Sequence, residues 1–146
     1  MASREYTLEE LRKDPVGDET WVERPDGTRL RVRVAGSGPT VFLAHGFGLT
    51  MLEWNVVAEM LVAKGYRVIT FDQRGHGKST IGTDGVGSLQ MAGEYLAILE
   101  QLDIHDAILA GHSMGGVVAI AGLLDVRSEE HTSELQARIF TSYAGF

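Results

Sequence analysis

The chain has 146 residues, 44% of them hydrophobic, enough for one domain with a real core and with no internal repeat or low-complexity tract. A net charge of −7 with scattered acids leaves no clustered basic surface for nucleic acid, and the lack of cysteine excludes a disulfide framework and thiolate chemistry. The N-terminus Met1-Ala-Ser-Arg-Glu-Tyr6 lacks the apolar core of a signal peptide and no run reaches the length of a membrane span, so the expectation is a cytoplasmic protein.

In chain order, residues 1 to about 17 read as a polar helical lead-in ending near Pro15-Val-Gly17. Glu19 to Arg24 and Thr28 to Val34 then flank Pro25-Asp26-Gly27 as a hairpin. Its arginines at 29, 31 and 33 alternate with Leu30, Val32 and Val34, which predicts a strand with one wet face rather than a phosphate-binding stripe. After the loop Gly36-Ser-Gly-Pro39, the apolar run Val41-Phe-Leu-Ala-His45 predicts a doubly covered strand that empties into Gly46-Phe47-Gly48. A helix with Leu52, Val56, Val57, Met60 and Leu61 at helical spacing follows, closed by Gly65. The next strand is Arg67 to Phe71, and a second helix spans Leu89 to Leu102, with Leu89, Ala92, Leu96 and Leu99 on one face. Asp106 to Ala110 reads as a buried strand and Gly116 to Leu124 as a helix, so strand and helix alternate as in a parallel α/β sheet.

Gly111-His112-Ser113-Met114-Gly115 joins that last strand to its helix, which holds a serine on a sharp turn. Such a turn strains the serine backbone and leaves no room for bulky side chains two residues to either side, and Gly111 and Gly115 fill both places. The hydroxyl stands clear of the sheet, and the N–H of Met114 faces whatever oxyanion the serine creates. The loop Asp72-Gln73-Arg74-Gly75-His76-Gly77-Lys78-Ser79 follows the strand at 67–71.

These three segments, over roughly residues 18 to 126, resemble the α/β-hydrolase family of serine esterases, lipases and their relatives. The resemblance implies the N-terminal half of an α/β-hydrolase: a mostly parallel sheet flanked by helices. It implies Ser113 as nucleophile on the elbow, and the N–H groups of Phe47 and Met114 as oxyanion hole. His45 and Gly46 open the oxyanion loop, and Gly111, His112 and Gly115 complete the elbow. Serine rather than aspartate at the elbow disfavours the dehalogenase and epoxide-hydrolase branches. Gly-His-Ser-Met-Gly-Gly is similar to the elbow of monoacylglycerol lipases and small-ester carboxylesterases, which points to a small-molecule carboxylic ester as substrate.

A serine hydroxyl needs a histidine to take its proton and a carboxylate to orient that histidine. In this family both follow the serine, acid first. Asp125 closes the elbow helix and faces away, and His131 comes too early with no strand before it. His45, His76 and His112 read as wall or loop residues, and His105 sits at the wrong end of its strand. No cofactor or metal is expected: position 72 is Asp where a P-loop needs Gly, Met51 breaks a dinucleotide fingerprint, and no histidine pair has ligand spacing. Arg127-Ser-Glu-Glu-His-Thr-Ser-Glu-Leu-Gln136 is identified as the in-frame translation of a widely used sequencing-library adapter. The resulting expectation is a partial hydrolase domain over 1–126 and a non-native tail over 127–146, in a protein natively about 250–300 residues long. The tail should make few tertiary contacts, the strand at 106–112 should present an open edge, and the isolated chain should be inactive and aggregate or stay partly molten. Non-catalytic small-molecule binding, and perhydrolase or lyase chemistry, stay open as alternatives, as does the oligomeric state.

Overall fold

Continuous apolar runs build the centre of the molecule, because successive side chains point to opposite faces of a strand and each strand there must fill both. The computed structural model describes residues 3–128 and 136–142. Strands β1 (Asp18–Glu23), β2 (Arg29–Ala35), β3 (Thr40–Ala44), β4 (Arg67–Phe71), β5 (Asp106–His112) and β6 (Gln136–Ser142) form one sheet in the order β1-β2-β4-β3-β5-β6. The β1/β2 and β2/β4 pairs are antiparallel, and β4/β3, β3/β5 and β5/β6 are parallel. The mixed, mostly parallel α/β sheet expected from the pattern is therefore present.

All five residues of β3 are buried. Phe42 and Ala44 face a core shared with Ile69, Phe71, Leu109 and helices α3 (Ser88–Gln101) and α4 (Met114–Ser128), while Val41 and Leu43 pack with Val68 and Ala58 of α2 (Asn55–Ala63). Phe42, Phe71 and Tyr95 lock α3 to the sheet with ring centroids 4.8 to 5.2 Å apart. Because β3 and β5 are adjacent and parallel, with Ala44 opposite Gly111, the loops leaving their C-terminal ends emerge side by side.

Several expectations are corrected. Among its described residues the N-terminal lead-in is helical only over α1 (Leu8–Leu11), closed at its start by a Thr7–Glu10 capping box. The segment after β3 starts as a 3-10 helix (Met51–Trp54) before α2, and Val57 and Met60 are exposed while Ala58 is buried. On α3 the inner face is Met91, Ala92, Tyr95, Ile98 and Leu99, with Leu89 in solvent. The face of β2 bearing arginines is not uniformly wet: Arg31 is buried beneath the N-terminal segment, where Asp14 and Glu19 pair with it and hold its guanidinium pKa above the usual range.

The largest correction concerns the tail. Residues 136–142 form β6, in register along the whole of β5 from Asp106↔Gln136 to His112↔Ser142. A parallel edge with unpaired N–H and C=O groups is a template for any extended segment that reaches it, and Ala137 and Ile139 alternate inward against the core while Arg138 and Phe140 face out. Glu129, Glu130, His131 and Glu134 of the polar string lie outside the described residues. This pairing overturns the expected open β5 edge and, for residues 136–142, the expectation of few tertiary contacts.

Candidate active site

Ser113 sits between β5 and α4 at φ 51°, the left-handed region that a residue with a side chain rarely adopts. The neighbouring glycines explain how this turn is held. A Cβ on Gly111 would collide with the backbone of Gly115 and Gly116, and a Cβ on Gly115 with the carbonyls of Ala44 and His45. The elbow thus packs backbone against backbone, and α4 begins at once, with Gly116 and Val117 donating to the Ser113 carbonyl at 3.0 and 3.2 Å.

The loop after β3 is fixed by two histidines, neither of which is free to act as a base. His45 is fully buried; its Nδ1 faces the Gly46 carbonyl at 2.8 Å and its Nε2 accepts the Gln73 N–H at 2.9 Å, which defines an Nδ1-protonated ring. Burial pushes its pKa down to about 4, so it is neutral near pH 7. The Gln73 side chain donates to the His45 carbonyl and accepts from the hydroxyl of Tyr95, a phenol whose pKa burial raises. His76 places Nδ1 on the Arg74 carbonyl at 2.9 Å, and its Nε2 accepts the Gly48 N–H at 3.1 Å. Phe47, whose N–H is the expected second oxyanion donor, projects its ring into solvent against the edge of His76. Met114 packs its side chain on the core.

Asp72 ties this loop to the next element. Its Oδ1 accepts the Met51 N–H and its Oδ2 the Lys78 N–H, both at 2.9 Å. Arg74 is buried and pairs with Glu94 at 2.9 Å and Asp26 at 2.7 Å; burial opposes its charge, but the two carboxylates outweigh it and raise its pKa. His105 is exposed beside Asp103. His112 brings Nδ1 against a carboxylate oxygen of Glu53, off the line of a hydrogen bond, and that nitrogen has no other polar partner among the described residues.

The structure therefore brings His45, Gly46, Phe47, Gly111, His112, Ser113, Met114 and Gly115 to one end of the sheet, where β3 and β5 finish. It also adds Glu53, Gln73, His76 and Tyr95, which spacing alone does not single out, since each acts through a contact formed only in three dimensions. Asp125 and its side-chain surroundings lie outside the described side chains. Among the described residues no group of three or more His, Cys, Asp or Glu is arranged to hold a metal ion, and no helix is long and apolar enough to cross a membrane.

The sequence profile of the alpha/beta hydrolase family matches residues 41–141, and the chain belongs to that family. It is 35% identical over 96 residues to a non-heme haloperoxidase of Rhodococcus erythropolis, an overlap of 66% of this chain and 35% of that protein. It is 36% identical over 98 residues to a bifunctional esterase/perhydrolase of Acinetobacter calcoaceticus, covering 66% of this chain and 36% of the relative. An esterase from Exiguobacterium antarcticum matches its fold with a TM-score of 0.75 at 30% identity, over 87% of this chain and 45% of the other. The chain spans about a third of the length of these curated relatives.

Proposed function

We propose that Ser113 is the nucleophile of a hydrolase acting on small carboxylic esters. The observation that carries this reading is the φ of 51° at Ser113, a strain kept in place by backbone contacts at Gly111 and Gly115. Strain of this kind has no packing purpose on a hydroxyl residue, and it aims the hydroxyl outward at the start of a helix. Attack of Oγ on the ester carbonyl would place the oxyanion toward the N–H groups of Met114 and Phe47; the alkoxide leaves with a proton, and water then cleaves the acyl-enzyme. Serine also argues against epoxide opening, because the resulting alkyl ether, unlike an ester, is not released by water.

The base and its carboxylate are proposed to come from the part of the family fold beyond the third that this chain spans. His45 and His76 support this placement, since both ring nitrogens of each are already engaged. The chain as it stands is then expected to hydrolyse para-nitrophenyl butyrate no faster than its Ser113→Ala variant. In a form extended to the relatives' length, a fluorophosphonate probe should label the wild type and not Ser113→Ala. Labelling that survives the substitution rejects Ser113 as nucleophile.

A second reading, perhydrolysis, is favoured by the bifunctional esterase/perhydrolase relative. Hydrogen peroxide would replace water in attacking the same acyl-enzyme, releasing a peracid and the serine. Formation of peracid from acetate ester and peroxide, measured beside ester hydrolysis, separates the two.

A further inference from the structure

We propose that Glu53 is a positioning residue of this site, one carboxylate that sets the oxyanion loop against the nucleophile elbow. Its Oε2 accepts the Gly46 N–H at 3.1 Å, and its Oε1 meets Nδ1 of His112. Gly46 immediately precedes Phe47, and His112 immediately precedes Ser113. The two proposed oxyanion donors, Phe47 and Met114, thus each lie within two residues of a group that Glu53 touches.

The spacing between loop and elbow is set to contact distance. A Cβ on Gly46 would stand 2.9 Å from His112 Nδ1, so the imidazole lies directly over the glycine and nothing larger fits between. Glu53 reaches around this contact from the 3-10 helix Met51–Trp54, which is itself fastened. Thr50 caps it through Leu52 N–H at 3.2 Å, and Asp72 at the end of β4 holds the Met51 N–H at 2.9 Å. The chain of contacts Asp72, Met51, Glu53, then Gly46 and His112 spans the C-terminal ends of β4, β3 and β5 in turn. Oxyanion stabilisation depends on donors fixed before the charge develops, so a brace between the two donor-bearing segments acts on the transition state through position rather than contact.

One carboxylate oxygen of Glu53 accepts the Gly46 N–H while the other packs against the imidazole nitrogen. Glutamine of the same length can keep the Gly46 bond with its side-chain oxygen and set its amide group against the ring, whereas alanine reaches neither. The proposal is therefore geometric and predicts rescue by Glu53→Gln.

Its functional meaning rests on the reading of Ser113 given above, but its test does not. Backbone amide exchange is followed by NMR in the 15N-labelled 146-residue chain. Glu53→Ala is expected to speed exchange at Gly46 about tenfold or more, with Phe42 of β3 unchanged, while Glu53→Gln stays within about threefold of wild type. Unchanged Gly46 exchange in Glu53→Ala overturns the proposal. So does a rise at Phe42 equal to that at Gly46, which makes Glu53 a general support of the fold, and so does Glu53→Gln behaving as alanine, which assigns the effect to charge. Failure of Ser113 labelling would remove the hydrolase reading and leave this result standing, because the exchange measurement involves no serine chemistry.

Discussion

Nε2 of the buried His45 accepts the N–H of Gln73 at 2.9 Å, so a single neutral imidazole joins the loop after β3 to the loop after β4. A protonated ring would turn that acceptor into a donor facing a donor. The arrangement makes the fold sensitive to mild acid.

Burial lowers the His45 pKa to about 4, well below the ordinary histidine value. The unfolded chain therefore takes up this proton first as pH falls. The contribution is complete above about pH 6.5 and is lost between about 6.5 and 4; at pH 5 about 2 kcal/mol of it is gone. Urea unfolding at pH 7.5 and pH 5 should show wild type losing about 2 kcal/mol more than His45→Gln over this interval. Equal losses in the two proteins would show that His45 titrates normally.

The elbow gives opposite expectations for two neighbouring positions. Gly115→Ala forces a Cβ into the carbonyls of Ala44 and His45 and is expected to cost more than about 3 kcal/mol or to abolish soluble expression. Ser113→Gly relieves a φ of 51°, so it should be at least as stable as Ser113→Ala, against the usual glycine penalty of about 0.5–1 kcal/mol. Chemical denaturation of the three variants side by side checks both.

Arg74 is the sole ion-pair partner of the buried Glu94 among the described residues. Burial already raises the Glu94 pKa against the pull of Arg74. Arg74→Met would leave that carboxyl buried without its cation and should destabilise by about 3–5 kcal/mol, whereas Arg74→Met with Glu94→Leu should recover part of the loss. A double-mutant cycle by urea denaturation gives the coupling, and additive losses would deny it.

Strand β6 covers the outer edge of β5. Deleting residues 136–146 should expose seven residues of parallel edge, from Asp106 to His112, and shift the chain into aggregate on size-exclusion chromatography. Ile139→Pro, which puts a residue with no N–H and a fixed backbone in the middle of β6, should act in the same direction. A truncated chain that elutes like the full-length one and melts cooperatively would show that β6 adds nothing to the edge.

Local signals made much of this molecule readable in advance. The apolar runs at 41–45 and 67–71 could only be strands covered on both faces, and glycines at 111 and 115 around Ser113 admit few conformations other than a tight strand-to-helix turn. Family membership and the clustering of His45, Phe47 and Ser113 follow from those short segments, because their constraints are steric and act within a few residues. Tertiary structure decided the rest. Arg31 became buried because Asp14 came over it from a segment with no regular pattern, beside Glu19 of the neighbouring strand β1. Leu89 and Val57 turned outward although they kept helical spacing, because α3 and α2 dock on other faces. Residues 136–142 became a strand because β5 offered an unpaired edge, a property of the sheet and not of the segment. Glu53 gained its partners in the same way: nothing in a polar residue seven places after Gly46 marks it until β3 and β5 lie side by side and leave one carboxylate within reach of both loops.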